Sequence, residues 1–197
     1  MNKHRSLSGY VATLGILLAL AAPGIGCKKA PVQDRDIAND ARALEQLSKG
    51  MEAYMSLHSR AEKNMPHIKA SQSGAKIVQR QHNLAAKVQA ARRNAKEGDI
   101  FTPDVIAYFR RQIDAAYLAN GAGIQAGIQM TAPLGSQKIT VNQPYPEDAP
   151  YTMVPPSLLL HLPSLPELVQ YQIVNHDLII RDVECNLVVD VMRNAIP

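Results

Sequence analysis

Apolar residues recur every seven positions between residues 34 and 65, which predicts a long amphipathic helix. A second apolar stripe follows Pro66 and predicts another helix over residues 67–96. The first repeat comprises Ile37, Leu44, Met51, His58 and Met65, with Leu47, Tyr54 and Ala61 at its second seam position. The second stripe comprises Ile77, Leu84, Val88, Ala91 and Ala95. The two patterns predict a helical hairpin, and the same seam would equally serve a coiled-coil homo-oligomer.

A third, shorter helix is predicted after residue 101. Thr102-Pro103-Asp104 supplies a cap, a proline at the first helical position and an acid in the first turn. Asn120-Gly121 supplies the stop signal. The apolar face comprises Ile106, Phe109, Ile113, Ala116 and Tyr117. We interpret the glycine-spaced residues 121–127 as a flexible exit, because they lack the lysine and the preceding strand of a phosphate loop.

Seven prolines then fall within 23 residues, which predicts an extended and stiff segment. They are Pro144, Pro146, Pro150, Pro155, Pro156, Pro163 and Pro166. Residues 139–142 are a possible short strand before this track. Residues 157–162, between two of its prolines, are predicted to form one helical turn that lays leucines on the module beyond.

The last 31 residues alternate β-branched runs with turn formers, which predicts three short antiparallel strands. Asn175-His176 forms the first turn, and Asn186 provides a residue that tolerates positive φ in the second. The fold class is therefore α+β, with three helices, a proline-rich linker and a small antiparallel β-meander. The predicted segments are a signal peptide (1–26), a tether (27–33), a helical domain (34–120), a linker (121–166) and a β module (167–197).

The N-terminus has the features of an export signal. Lys3 and Arg5 precede an uncharged apolar run over residues 11–22, which is too short to cross about 30 Å of hydrocarbon comfortably. The small residues before Cys27 resemble the lipobox of bacterial lipoproteins, although Gly24 stands where that family usually has leucine. The resemblance implies cleavage after Gly26 and lipidation of Cys27, which would anchor the chain to a membrane. Cleavage near residues 19–21, or an uncleaved anchor, are the alternatives.

The charge pattern does not favour nucleic acid. The formal net charge is +4, divided into +2 over residues 1–26, +6 over residues 27–100 and −4 over residues 101–197. Basic residues are interspersed along the predicted helices, which is typical of a solvated helix face. Export would also remove the chain from the cytoplasm. We therefore expect no nucleic-acid partner.

The side chains that could carry chemistry do not form a recognisable motif. His58, His67 and His82 are not four residues apart, so no helical metal site is predicted. Cys185 lacks a histidine nearby in sequence, and we interpret it as a buried turn residue. If Cys27 is not lipidated, a disulfide between Cys27 and Cys185 is the alternative. The acids of the β module lack the spacing and glycine of a calcium loop, and we interpret them as solubilising edge and turn residues. They are Asp177, Asp182, Glu184 and Asp190.

The C-terminal module resembles that of small exported bacterial proteins. The resemblance rests on Pro155-Pro156 and Leu162-Pro163-x-x-Pro166, on Tyr171-x-Ile173-Val174-x-x-Asp177-Leu178-Ile179-Ile180-x-Asp182, and on Leu187-Val188-Val189-Asp190-Val191-Met192. It covers about 40 of the 197 residues. The group includes periplasmic nickel/cobalt-homeostasis proteins and families of unknown function, but this chain has a long helical middle and no histidine-rich tract.

The sequence predicts a non-catalytic envelope protein with an interaction or structural role. No hydrolase motif is present, so we expect no enzyme, no cofactor and no metal ligand. The predicted partners are the membrane, through the N-terminal lipid, and another envelope protein. Localisation is predicted on the periplasmic side of a membrane, or as a soluble periplasmic or secreted protein. The alternative function is periplasmic metal homeostasis or sensing, which follows from the resemblance.

Overall fold

A computed structural model describes residues 32–63, 65–66, 73–131, 138–146 and 153–197. The signal peptide, Gly26, Cys27 and His67 lie outside these residues. The elements are α1 (Val32–Glu62), α2 (Gly74–Ala91), α3 (Pro103–Thr131), α4 (Pro156–Leu159), β1 (Val169–Val174), β2 (Asp177–Asp182) and β3 (Leu187–Met192). The α+β class predicted from the sequence is confirmed.

The strands form the predicted antiparallel meander, in the order β1-β2-β3. Its two turns use Asn175 and Asn186 at φ 56° and 54°. Asparagine tolerates this left-handed conformation better than most residues, which explains why both turns can be tight. A register shift between Ile180 and Arg181 bends β2 against β3.

Helices α1 and α2 run in opposite directions. Near the end of α1, Glu62 contacts Arg80 of α2, and eight residues earlier Tyr54 lies 5.0 Å beneath the guanidinium of Arg92. The predicted seam is buried in the second half of α1, from Leu47 to His58, and exposed in the first half, where Ile37 is 64% exposed. The seam is therefore covered within the described chain only where α1 meets the other elements.

Helix α3 is longer than predicted. Residues 121–131, expected to leave the helix as a flexible segment, continue it after a kink at Asn120 (φ −156°, ψ 51°). The side chain of Asn120 accepts a hydrogen bond from the N–H of Gly123 at 3.2 Å and so caps the second segment. Ile124 and Ile128 are buried there, which stabilises a helix that its glycines alone would disfavour. The third helix is therefore not shorter than α2, contrary to the prediction. The interpretation of residues 121–127 as a flexible exit is also wrong.

The segments beyond α3 cover the sheet. Asn142 and Tyr145 donate backbone hydrogen bonds of 2.8 Å to the carbonyls of Val188 and Asn186, so residues 142–145 line the outer edge of β3. The pairing lies a few residues later than the predicted strand at 139–142. As predicted, one helical turn forms between the prolines, and its Leu158 is fully buried.

Apolar side chains cover both faces of the sheet. One face, with Ile173, Ile180 and Val189, belongs to the large core shared with the helices. The other face, with Ile179 and Val188, packs against residues 139–145. Because both faces are buried, Asp182 and Asp190 lie in the interior rather than at a wet surface.

Candidate functional site

The turn after β2 and the middle of α1 bring together side chains that are 124 to 131 positions apart in sequence. Asp182 ends β2, and its Oδ1 accepts hydrogen bonds from the backbone N–H groups of Glu184 (2.9 Å) and Cys185 (3.1 Å). An aspartate that closes its own turn in this way fixes the turn's conformation. It therefore holds the Cys185 thiol near its own carboxylate.

Helix α1 contributes Tyr54 and His58, which share a face because they are four residues apart. The Tyr54 hydroxyl donates to Asp182 Oδ2 at 2.6 Å. His58 Nε2 lies 3.3 Å from the same oxygen and 3.4 Å from Glu184 Oε2. His58 and Asp182 are fully buried, and Cys185 is 1% exposed. We call His58, Asp182 and Cys185 the buried triad; one nitrogen, oxygen or sulfur atom from each lies within 4.8 Å of the others.

The His58 ring is not satisfied by hydrogen bonds. Both its nitrogens are buried, and neither has a hydrogen-bond partner among the residues that the structure describes. Buried polar groups are nearly always hydrogen-bonded, because desolvation without a partner costs about 1–3 kcal/mol. The buried triad thus contains a polar group whose partner is missing from the described residues.

A half-buried rim separates the buried triad from solvent. Arg80 of α2 pairs with Glu184 at 2.6 Å and also with Glu62. Atoms of His58, Glu62 and Glu184 form a second group within 4.8 Å of one another. The rim therefore places two carboxylates, neutralised in part by one guanidinium, on the solvent side of His58.

Burial shifts the proton equilibria of this site. It raises the pKa of the Cys185 thiol, and the nearby Asp182 carboxylate raises it further. The pKa of Tyr54 is raised for the same two reasons. Both groups therefore keep their protons at neutral pH, and the thiol is a weak nucleophile unless a cation takes its proton's place.

Asp190 illustrates a different use of a buried acid. Its Oδ1 accepts from the N–H groups of Gly98 (3.0 Å) and Val191 (2.8 Å), and its Oδ2 from those of Ile100 (2.7 Å) and Phe101 (2.8 Å). Burial raises its pKa, and the four hydrogen bonds oppose that shift. Asp190 fastens the loop before α3 to β3 and has no free acceptor direction for a ligand.

These positions correct several predictions. Asp182 and Asp190 are buried rather than solubilising, because both faces of the sheet are covered. Cys185 is a buried turn residue, as predicted, but the expectation that no histidine accompanies it is wrong, since α1 supplies His58. His82 is exposed on α2 and does not join the site. One feature of the sequence indicates the site: His58 lies on the apolar seam of α1, one helical turn after Tyr54.

A separate apolar groove of about 420 Å³ lies beside β1. Its walls include Met153, Leu159 and Leu165, and the neighbouring Leu160 is 87% exposed. Such an exposed cluster of large apolar side chains is typical of interaction surfaces.

Within the described residues, no helix combines the length and the hydropathy needed to cross a membrane. Comparison with known proteins gave no match: neither a protein family, nor a curated protein, nor a solved structure is similar to this chain. The suggested function therefore depends on the chain's own features.

Proposed function

We propose that the chain is an exported, lipid-anchored envelope protein with a non-catalytic interaction or structural role. The observation that carries this proposal is the N-terminal pattern of Lys3, Arg5, a short apolar run and small residues before Cys27. It is followed at once by a folded domain, since α1 begins at Val32.

The short connection bears on where the domain would act. Four residues separate Cys27 from Val32, and an extended chain covers at most about 3.4 Å per residue. From Cys27 to Val32 there are five such steps, so a lipid on Cys27 would keep the start of α1 within about 17 Å of the membrane surface. This reach favours a role beside the membrane over one at a distance from it.

The burial of the reactive side chains favours a non-catalytic role. His58, Asp182 and Cys185 are closed to solvent, so a substrate would have no access to them in this conformation. The raised pKa of Cys185, caused by burial, keeps the thiol protonated. A catalytic thiol needs the opposite, a depressed pKa and an accessible sulfur.

An interaction role has support from the apolar groove beside β1. Met153 is 76% exposed and Leu160 is 87% exposed, although each could have been polar without disturbing the core. We propose this face as the contact for an envelope partner, which includes the case of a second copy of the chain.

Intact mass of the protein from membrane and soluble fractions tests the anchor. We expect a membrane-bound species that lacks residues 1–26 and carries a lipid on Cys27. Cys27→Ala should move the protein to the soluble fraction, whereas Cys185→Ala, the matched control at the second cysteine, should leave it on the membrane. A species that retains residues 1–26, or an unmodified Cys27 in the mature chain, would contradict the proposal.

Photocrosslinking tests the interaction face. A photoreactive residue at Leu159, an exposed residue of the groove wall, should yield a discrete adduct in intact cells, and the same residue at Leu118 should not. Leu118 is a suitable control because it is also an exposed leucine but does not line the groove. An adduct with the mass of two chains would identify a homo-oligomer, and equal yields at both positions would count against a specific contact.

A further inference from the structure

We propose that His58, Asp182 and Cys185 bind a zinc ion in a closed site at the junction of α1 and the turn after β2. This inference goes beyond the proposed envelope role and does not depend on export or lipidation.

The spacing of the ligand atoms fits a small tetrahedral site. Zinc binds histidine nitrogen and carboxylate oxygen at about 2.0–2.1 Å, which places two such ligands about 3.3 Å apart in a tetrahedron. His58 Nε2 and Asp182 Oδ2 are 3.3 Å apart. The third ligand atom, from Cys185, lies within 4.8 Å of both, so a small movement of the thiol would complete three ligand positions.

The unsatisfied histidine is an independent indication of a ligand. Neither ring nitrogen of the fully buried His58 has a hydrogen-bond partner among the described residues. Nε2 lies 3.3 Å from Asp182 Oδ2 and 3.4 Å from Glu184 Oε2 without making a hydrogen bond to either. A metal ion at this nitrogen would provide the missing partner and remove the cost of the buried lone pair.

The charges also fit a divalent cation. A carboxylate from Asp182 and a thiolate from Cys185 would neutralise Zn²⁺, while His58 would bind as the neutral imidazole. Without a cation, an ionised thiol beside a buried carboxylate would be strongly unfavourable. On binding, zinc would replace the thiol proton, which would pass to solvent.

The surroundings hold the oxygen ligand in place. Asp182 Oδ1 is fixed by the N–H groups of Glu184 and Cys185, and Oδ2 accepts from the Tyr54 hydroxyl. Such outer hydrogen bonds orient metal ligands and sharpen affinity. Histidine, thiolate and carboxylate together favour zinc over the hard cations Mg²⁺ and Ca²⁺, which prefer oxygen ligands alone.

The rim offers a fourth ligand and an access route. Glu184 Oε2 is 3.4 Å from His58 Nε2, and its side chain is partly exposed. Arg80 pairs with Glu184 and would balance the additional negative charge. Movement of Arg80 and Glu184 would open the buried triad to an ion from solvent.

The decisive experiment measures zinc in the purified full chain carrying Cys27→Ser, which leaves Cys185 as its remaining thiol. The protein is stripped with a chelator, dialysed against Zn²⁺ held near 1 µM by a metal buffer, and analysed for metal and protein. We expect one zinc per chain and a rise in stability, which reaches about 2.7 kcal/mol when free zinc is 100 times the Kd. A chain that takes up no zinc, or gains no stability from it, overturns the proposal.

Cobalt identifies the ligands. Co²⁺ in place of Zn²⁺ should produce a thiolate-to-metal charge-transfer absorption, because Cys185 would coordinate the ion. Cys185→Ser should abolish that absorption, while His82→Gln, a change at an exposed histidine, should leave it intact. If Cys185→Ser fails to fold, the presence or absence of the charge-transfer band in the Cys27→Ser protein still tests the assignment. Metal uptake without the charge-transfer band would indicate ions held at surface residues and would overturn the assignment.

Discussion

Asp182, at the end of β2, and Asp190, inside β3, are both fully buried carboxylates of one small sheet, but their partners differ in kind. Asp190 accepts four hydrogen bonds, all from backbone N–H groups. Asp182 shares its surroundings with a hydroxyl, a thiol and an imidazole whose nitrogens lack hydrogen-bond partners among the described residues. Both acids are buried, so burial alone does not distinguish a structural acid from a ligand. What differs is whether the neighbouring polar groups are all satisfied.

Asp190→Ala should have the largest effect, because it leaves four backbone N–H groups without their acceptor in the interior. We expect the free energy of unfolding to fall by about 4 kcal/mol, measured by urea unfolding followed by circular dichroism. Asp177→Ala is the matched control. Asp177 is a half-buried acid that pairs with the partly exposed Arg193, and its removal should cost about 1 kcal/mol or less. Similar losses in the two variants would contradict the anchoring role of Asp190.

Tyr54→Phe should have the next largest effect, since it removes the hydroxyl that donates to the Asp182 carboxylate at 2.6 Å. A hydrogen bond to a charged group contributes about 1.5–3 kcal/mol, and we expect a loss of that order in the same unfolding assay. Tyr171→Phe provides the comparison, because the Tyr171 hydroxyl donates to the uncharged carbonyl of Pro163 at 3.0 Å. Its loss should be near 1 kcal/mol. A larger loss at Tyr171 would contradict the prediction that the Tyr54–Asp182 hydrogen bond is the stronger of the two.

The secondary structure and the buried triad differ in how far the sequence predicts them. The strands, both asparagine turns and the second half of the α1 seam follow from local patterns, since periodicity and turn chemistry act over a few residues. The triad joins residues 58 and 185, and nothing in either local pattern specifies that contact. The burial of Asp182 and Asp190 also depends on which segments cover the sheet. Tyr54 and His58 of α1 cover Asp182, and the loop at 98–101 covers Asp190; neither contact is specified by the local pattern around the acid.

The kink in α3 is another case where local signals mislead. Asn120-Gly121 is an ordinary helix stop, and three glycines follow it. The chain nonetheless resumes helical structure, because Ile124 and Ile128 bury on that side and Gly127 allows Pro155 to approach closely. Packing outweighs propensity here, as is common where a helix can bury an apolar stripe.

Alkaline pH should destabilise the metal-free protein through the triad. Burial raises the pKa of Cys185 above its ordinary value of 9.0, so above pH 9 the unfolded chain loses a thiol proton that the folded chain keeps. Stability is therefore complete below pH 9 and falls as pH rises, by at most about 1.4 kcal/mol per pH unit for this one group.

Urea unfolding of the Cys27→Ser protein between pH 8 and 10 would measure this slope. Cys185→Ala should reduce it, leaving the contribution of tyrosines such as Tyr54 and Tyr171, whose pKa burial raises above the ordinary value of 10.0. With zinc bound, stability should instead rise with pH up to about pH 9, because the thiolate would then belong to the folded state. An unchanged slope in Cys185→Ala would show that the thiol is not the group responsible.

His58→Met should have the smallest effect in the absence of metal, although His58 is fully buried. An imidazole without hydrogen-bond partners contributes nothing that an apolar side chain of similar size would not, so we expect a loss of less than about 1 kcal/mol, or a gain in stability as the unsatisfied polar group is removed. If His58 were instead protonated and paired with Asp182 and Glu184, breaking that buried pair would cost about 3–5 kcal/mol. Unfolding of chelator-treated wild type and variant distinguishes the two cases. With zinc added, the wild type should gain stability. The His58→Met variant should not, because it lacks one of the three proposed zinc ligands.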